Sequence, residues 1–238
     1  MGICKVMLRL VPKPKCITFD CYGTLVQWHQ ALRNAVGAVL AERSVSSVSD
    51  TELDGAVDTL RTLSMEQQQR PYRDYKTVLI SSLVETMTGR GLSPGPHDGE
   101  TLLSFLRDIP PHPEVPAALF RLRSFYQLAI ISNTDDDLIT GTVAAMGVPI
   151  DFVVTAQQAK AYKPNHRLFH YAHSVIGVTP EETVHVGMGQ VTDLKVCHEM
   201  GIQAVWIDRL GENLHPDCSP AAVLPDLSTL PELLAFDA

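Results

Sequence analysis

Short, unbroken apolar runs alternate along most of this chain with segments whose apolar residues recur at helical spacing. Cys16-Ile17-Thr18-Phe19 is a compact run of β type that ends in Asp20. Gln127–Ile131 ends in Ser132-Asn133, and Phe152–Thr155, Thr183–Val186 and Ala204–Ile207 repeat the form. Runs that are apolar throughout, rather than alternating, belong to strands buried on both faces of a parallel sheet. Between them, Leu138–Met146 reads as a helix stopped by Gly147, and Val191–Met200 as one stopped by Gly201. After Asn165, the residues Leu168, Ala172, Val175 and Ile176 fall at i, i+4, i+7 and i+8 and predict one buried helix face. Strands alternating with helices give the expected class: α/β, a doubly wound parallel sheet.

From about Trp28 to Pro111 the pattern changes. No convincing strand occurs, and helix formers fill Ala31–Arg43, Glu52–Gln69 and Tyr72–Thr88. A loop with Gly89, Gly91, Pro94, Gly95 and Pro96 follows, then Thr101–Arg107. This predicts a helical insertion after the first strand. Ligands of open α/β sheets bind beyond the carboxyl ends of the strands, so an insertion emerging there covers that crevice and excludes water. The expected division is a core of residues 1–28 and 112–238 and a helical cap of residues 29–111.

Composition narrows the classes. Of 238 residues, 45% are hydrophobic and 19% charged, which is globular rather than disordered. A net charge of −8 argues against nucleic acid as a partner. Cys4, Cys16, Cys21, Cys197 and Cys218 are scattered without CxxC spacing, so neither a disulfide framework nor a zinc site is indicated. Val6-Met7-Leu8 is too short for a signal h-region, and no stretch approaches the ~20 apolar residues of a membrane helix. A soluble protein of a reducing, cytoplasmic compartment is the simplest expectation.

Four predicted strand ends carry polar residues: Asp20 with Thr24, Ser132 with Asn133, Lys163 after the third strand, and Asp193 after the fourth. Singly, each has an ordinary explanation. Asp before Gly-Thr suits a turn, Ser-Asn a loop start, Lys-Pro a solvated residue before a helix, and Asp193 a helix-dipole partner. In order and together they resemble the haloacid dehalogenase superfamily. Its signatures stand here as Phe19-Asp20-Cys21-Tyr22-Gly23-Thr24-Leu25, Ile130-Ile131-Ser132-Asn133, Tyr162-Lys163-Pro164, and Val186-Gly187 followed by Asp193. The resemblance covers nearly the whole chain, cap placement included, and the first motif is the specific one.

The resemblance implies a nucleophilic Asp20, a carboxylate made effective by positioning and partial desolvation. Lys163 would stabilise its charge and that of an anionic substrate, and Thr24 would hold its rotamer. Ser132, Asn133 and the backbone N–H groups after Asp20, Cys21 among them, would bind substrate oxygens. Asp193 would orient Lys163 or help activate water.

Phosphatases of this superfamily carry a second Asp two residues after the nucleophile. Here that residue is Tyr22, a poor acid or base at neutral pH with a reference pKa of ~10. Met188 stands where they commonly place a magnesium carboxylate, and thioether sulfur does not suit a hard cation. The Asp-x-Tyr-Gly-Thr-Leu form instead resembles the L-2-haloacid dehalogenase branch. That implies displacement of halide from a small 2-haloalkanoate, hydrolysis of the resulting ester, and no cofactor or metal. It also implies substrate contacts from Tyr22, Gln190 and a cap arginine, for which Arg70 and Arg73 are the candidates with Arg33 behind them. Exposed arginines on a solvated helix face explain any one of these equally well.

Two departures bear on specificity. Phe169 replaces the branch's tyrosine six residues after the lysine, with Tyr171 pointing elsewhere on its helix. Met188 and Gln190 replace its Ser and Asn before Asp193. A relative acting on another small carboxylate is consistent with both, ring-opening of a strained cyclic amino acid being one such reaction. The rivals are a magnesium-dependent small-molecule phosphatase, the one case calling for a metal, and a non-catalytic binding protein on this fold. A homodimer is implied by the resemblance alone. The nine histidines form no HxxxH or HExxH and are expected to be structural or at the surface. Asp135-Asp136-Asp137 should cap a helix and face solvent, and Trp28 and Trp206 should be core or cap-hinge residues.

Overall fold

The computed structural model describes residues 13–43 and 48–234; Cys4 and the Val6-Met7-Leu8 run lie outside them. Six strands form one parallel sheet: β1 (Cys16–Phe19), β2 (Gln127–Ser132), β3 (Phe152–Thr155), β4 (Thr183–Gly187), β5 (Gln203–Ile207) and β6 (Ala222–Leu224). Their order is β3-β2-β1-β4-β5-β6. Every residue of β1 and β4 is buried, as unbroken apolar runs require. The chain leaves β1 toward β2 on one side and later fills β4 on the other. The strand order therefore reverses at β1, and a crevice opens at its carboxyl end. Phe19 pairs with Ile130 and Val186, which places Asp20 beside the ends of β2 and β4.

Between β1 and β2 run α1 (Trp28–Arg43), α2 (Asp50–Gln68), α3 (Tyr75–Gly89), α4 (Asp98–Ser104) and α5 (Val115–Leu122). The first four pack on one another, whereas α5 packs on α10 (Leu230–Leu233). A capping box, in which Ser49 and Glu52 each bond the other's backbone N–H, fixes the start of α2 and contributes about 1 kcal/mol. The remaining helices are α6 (Asp136–Ala145), α7 (Ala156–Ala159), α8 (His166–Ile176) and α9 (Val196–Glu199). No helix among the described residues is long and apolar enough to cross a membrane. Cys16, Cys21, Cys197 and Cys218 are buried free thiols.

Several expectations need correction. Helix α3 starts at Tyr75 rather than Tyr72, and α4 covers Asp98–Ser104 rather than 101–107. Val175 is 44% exposed, because α8 buries Leu168, Phe169, Ala172, His173 and Ile176 instead. The helix expected over Val191–Met200 opens as a π turn, Gln190–Lys195, before α9. Neither β6 nor α5 was foreseen: β6 is a three-residue edge strand that is only partly buried, and α5 is short with a proline in its first turn. Asp135 does not face solvent. It is wholly buried, and its carboxylate accepts hydrogen bonds from the N–H groups of Tyr75 (2.8 Å) and Lys76 (2.9 Å), so it caps α3 rather than α6.

Candidate active site

At the reversal point the carboxyl end of β1 presents Asp20. Its N–H donates to Val186 O at 2.9 Å, continuing the ladder one residue past the strand. The chain then turns sharply, Gly23 taking a φ of +92° that a residue with a Cβ rarely adopts. A Cβ there would also collide with the sulfur of Met188. The turn brings Thr24 back under the carboxylate. Its hydroxyl donates to Asp20 Oδ2 at 2.7 Å and accepts from the Met188 N–H at 2.9 Å. Arg209 braces the turn from below, donating to Thr24 O at 2.8 Å and pairing with Glu114 at 2.6 Å.

Lys163 enters from the loop after α7. Although only 1% exposed, its ammonium makes three bonds: to Asp20 Oδ1 at 2.8 Å, Asp193 Oδ1 at 2.6 Å and Ile131 O at 2.9 Å. Asn133 clamps its backbone. The side-chain oxygen accepts from Lys163 N–H at 2.7 Å and the amide nitrogen donates to Lys163 O at 3.0 Å. Asp193 reaches the lysine because of the π turn, in which Leu194 N–H bonds Gly189 O at 3.1 Å, five residues back. Single π turns inside helices recur at functional sites. Gly189 is required here, since a Cβ would strike Thr192 Oγ1 and Asp193 Oδ2.

The charge states follow from burial and pairing. Burial, the largest influence on Asp20, raises its pKa above the ordinary carboxylate value against the pull of Lys163. Asp193 is equally buried, but Lys163 and His185 outweigh the desolvation and hold its pKa well below the usual range. Burial also works against the Lys163 cation, yet the two carboxylates prevail and keep it charged. Asp20, Lys163 and Asp193 thus form a buried triad in which the nucleophile candidate is the less stabilised anion.

Asp20, Tyr22, Ser132, Asn133, Lys163 and Asp193 all line one cavity of about 150 Å³. At ~30 Å³ per water this is room for a substrate of only a few heavy atoms. Ser132 Oγ is buried without a hydrogen-bond partner, so it is available to a ligand. Thr134 donates to the Tyr22 hydroxyl at 3.3 Å. Other expected residues are elsewhere. Cys21 is wholly buried and off the cavity wall. Gln190 turns away, its amide donating to Glu212 at 3.1 Å. Arg70 and Arg73 are exposed and do not line the cavity; Arg73 donates to Gln67 Oε1 at 2.5 Å. Arg33 pairs with Asp50 and Asp54 at 2.6 and 2.8 Å.

Trp28, the first residue of α1 and one position before the expected cap, joins Gln68 and Tyr75 of the insertion in forming the wall instead, and sequence reasoning placed none of the three there. Trp28 Nε1 is buried and makes no close hydrogen bond, though it lies near enough to the Tyr75 hydroxyl to oppose the rise of that group's pKa. The Arg61 guanidinium lies over its ring, 5.9 Å from the centroid. Nothing in the sequence marks these residues, because the distance they cross is set by how α1–α3 pack. Trp206, by contrast, is buried as expected and donates to Met188 O at 3.2 Å.

The residues present do not fit magnesium. Lys163 already occupies the space between the two carboxylates, and Met188 and Tyr22 add a sulfur and a phenol. Among the described residues no group of three or more His, Cys, Asp or Glu is arranged to hold a metal ion.

The chain is 26% identical to (S)-2-haloacid dehalogenase 4A of Burkholderia cepacia, over 94% of this chain and 95% of that one. It is 32% identical to a phosphoserine phosphatase of Thermus thermophilus, over 51% of this chain and 50% of the other. The structure of L-2-haloacid dehalogenase from Xanthobacter autotrophicus with chloropropionic acid covalently bound superposes with a TM-score of 0.81 at 21% identity. That match covers 94% of this chain and all of the other. The model of the haloacid dehalogenase-like hydrolase family matches residues 14–201, which hold all of the buried triad and its supports except Arg209. This chain belongs to the haloacid dehalogenase-like hydrolases.

Proposed function

We propose that this protein is a metal-independent hydrolase of small 2-substituted carboxylates, of the L-2-haloacid dehalogenase type. Residues 29–111 act as a cap over a core of residues 1–28 and 112–238. The observation that carries this is Asp20, aimed into a small cavity by Thr24 and Lys163, with Tyr22 where an acid–base Asp would have to stand for phosphoester chemistry. The full-length similarity to a haloacid dehalogenase supports it, whereas the phosphatase similarity spans only half the chain.

In the first step an Asp20 oxygen bonds the substrate's C2 as the C–halogen bond breaks, the bonding pair leaving with halide. Ser132 Oγ and Trp28 Nε1, which make no close hydrogen bond, are the groups available to the substrate carboxylate. In the second step water adds to Asp20 Cγ. One of its protons passes to Asp193 and on to the departing alkoxide as the ester C–O bond breaks, giving a 2-hydroxy acid. The other is lost to solvent as the carboxylate re-forms beside Lys163. Such covalent catalysis replaces one difficult displacement by water with two easier steps.

Halide release from L-2-chloropropionate, with chelator present, tests this directly. Release by the wild type and none by Asp20→Asn is expected. In ¹⁸O water a single turnover should label Asp20, and the product only in later turnovers. Label entering the product at once would exclude the ester. Turnover of phosphoesters that requires magnesium would overturn the assignment altogether.

A further inference from the structure

Strand β4 carries a histidine, His185, wholly buried between Val184 and Val186. A polar group left unpaired in such a place is strongly destabilising, so both ring nitrogens need partners. Nε2 lies 3.0 Å from Asp193 Oδ1 and Nδ1 lies 2.9 Å from Thr18 Oγ1. Asp193 is a carboxylate and can only accept, which makes Nε2 the donor; Nδ1 is in contact with the Thr18 hydroxyl, whose oxygen also lies 3.4 Å from Val184 O. Phe169 of α8 packs edge-on against the ring, with centroids 5.1 Å apart, and fixes its tilt. The side chains Thr18–His185–Asp193–Lys163–Asp20 therefore form a connected chain that starts on β1 and returns just past its end, two residues on.

The Oδ1 atom of Asp193 thus receives two donors, Lys163 and His185. Oδ2, held by Thr192 Oγ1 at 2.9 Å, belongs to a residue that faces the cavity. The two donors differ in what happens to them during the reaction. Once Asp20 is esterified its negative charge is gone, and Lys163 loses one of its two anionic partners. His185 has no contact with Asp20 and is unaffected. We propose that His185 is the positioning residue that holds Asp193 in place for hydrolysis of the covalent ester, because its bond to Asp193 is untouched when Asp20 changes from anion to ester and Lys163 shifts its whole charge onto Asp193. This rests on the Asp20-nucleophile reading and assigns His185 to the second half-reaction alone. It also accounts for Phe169: that residue needs no hydroxyl of its own, because its task is to pack the imidazole that makes the hydrogen bond.

The test separates the two half-reactions. His185→Leu removes the donor, while His185→Gln places an amide nitrogen near the position of Nε2. With L-2-chloropropionate, His185→Leu should release a first equivalent of halide at a rate within about threefold of wild type. Its steady-state turnover should fall by about 10–100-fold, the scale on which misplacing a reacting group is felt. Intact-protein mass spectrometry should then show the ester accumulating on Asp20, and His185→Gln should recover most of the loss. Equal slowing of both steps without an adduct would overturn the role while leaving the nucleophile assignment standing. Absence of both halide and adduct in the wild type would remove that assignment and this role with it. Should His185→Leu not fold, Thr18→Val loosens the same imidazole from its other side. An adduct that does not build up in that variant counts equally against the proposal.

Discussion

The floor and the wall of the cavity are built on opposite terms. The floor, from the ends of β1, β2 and β4 and the loop after α7, concentrates three buried charges, Lys163 being bonded to Asp20, to Asp193 and to backbone. The wall from the inserted helices is aromatic and neutral: Trp28, Tyr75 and the amide of Gln68. Arg33, Arg43 and Lys76 of the insertion are committed elsewhere, to Asp50 and Asp54, to Asp98 and to Asp137, while Arg61 sits over the Trp28 ring. The difference teaches where each part of the function resides. Reactivity is fixed by groups that cannot move without leaving a bare charge in the core. On the proposed reaction, selection falls to the donors and shape of the wall, which can change at little cost to the fold.

Removing Lys163 should break the floor most severely. Lys163→Met leaves Asp20 and Asp193 buried with no cation between them, and breaking a buried ion pair costs about 3–5 kcal/mol. Denaturant unfolding should show that loss, and no halide release should survive.

Asp20→Asn should abolish activity too, yet with the opposite effect on stability. It removes the more poorly stabilised anion and leaves Lys163 paired with Asp193. A gain of about 1 kcal/mol is expected, seen as a Tm higher by roughly 2–4 °C at neutral pH, since functional groups are commonly held at a cost in stability. The sign with pH follows from the raised pKa of Asp20, whose first cause is burial. The penalty for its charge is present above its folded pKa and disappears as pH falls through that value. The advantage of the Asn variant should therefore shrink toward low pH. The acid limb of the wild-type rate profile should likewise lie above the ordinary aspartate value. Asp193 runs the other way. Its depressed pKa contributes stability above the unfolded value of about 3.9, lost as pH falls through the folded one.

That floor was legible in the sequence because backbone geometry fixes it. Residues that end adjacent parallel strands must converge, so Asp20, Ser132 and the β4 end needed only the strands to be read correctly. Lys163 and Asp193 came with the motif order. The wall was not legible, because Trp28, Gln68 and Tyr75 come from three helices whose crossing depends on side-chain packing. Asp135 shows the same limit: a helix start predicts a local cap, but the carboxylate crosses to the N-terminus of α3. His185 was legible in principle, as a polar residue inside an apolar strand run. The expectation that the histidines are structural or at the surface holds for His185, but its bond to Asp193 depends on the π turn, which the sequence does not mark.

Thr24→Val is the next smaller test of the floor. It keeps the volume but takes the hydrogen bond from Asp20 Oδ2 and the acceptor from Met188 N–H. Leaving such partners unsatisfied costs about 1–3 kcal/mol. Halide release should fall by roughly tenfold, the rate equivalent of about 1.4 kcal/mol, with kcat affected more than KM.

The smallest effects sharpen the comparison from the wall side. Arg70→Gln and Arg73→Gln replace exposed cations that do not line the cavity, so kcat/KM should stay within about twofold and stability within about 0.5 kcal/mol. Trp28→Phe keeps an aromatic wall but removes the Nε1 donor, and should raise KM by about tenfold with kcat little changed. Arg61→Gln, which strips the cation from the face of that indole, should fall between the two. If the Arg70 or Arg73 variant instead raised KM more than Trp28→Phe, an arginine would have to swing onto the substrate when it binds. Recognition would then lie in a closing motion of the insertion rather than in the neutral donors already facing Asp20.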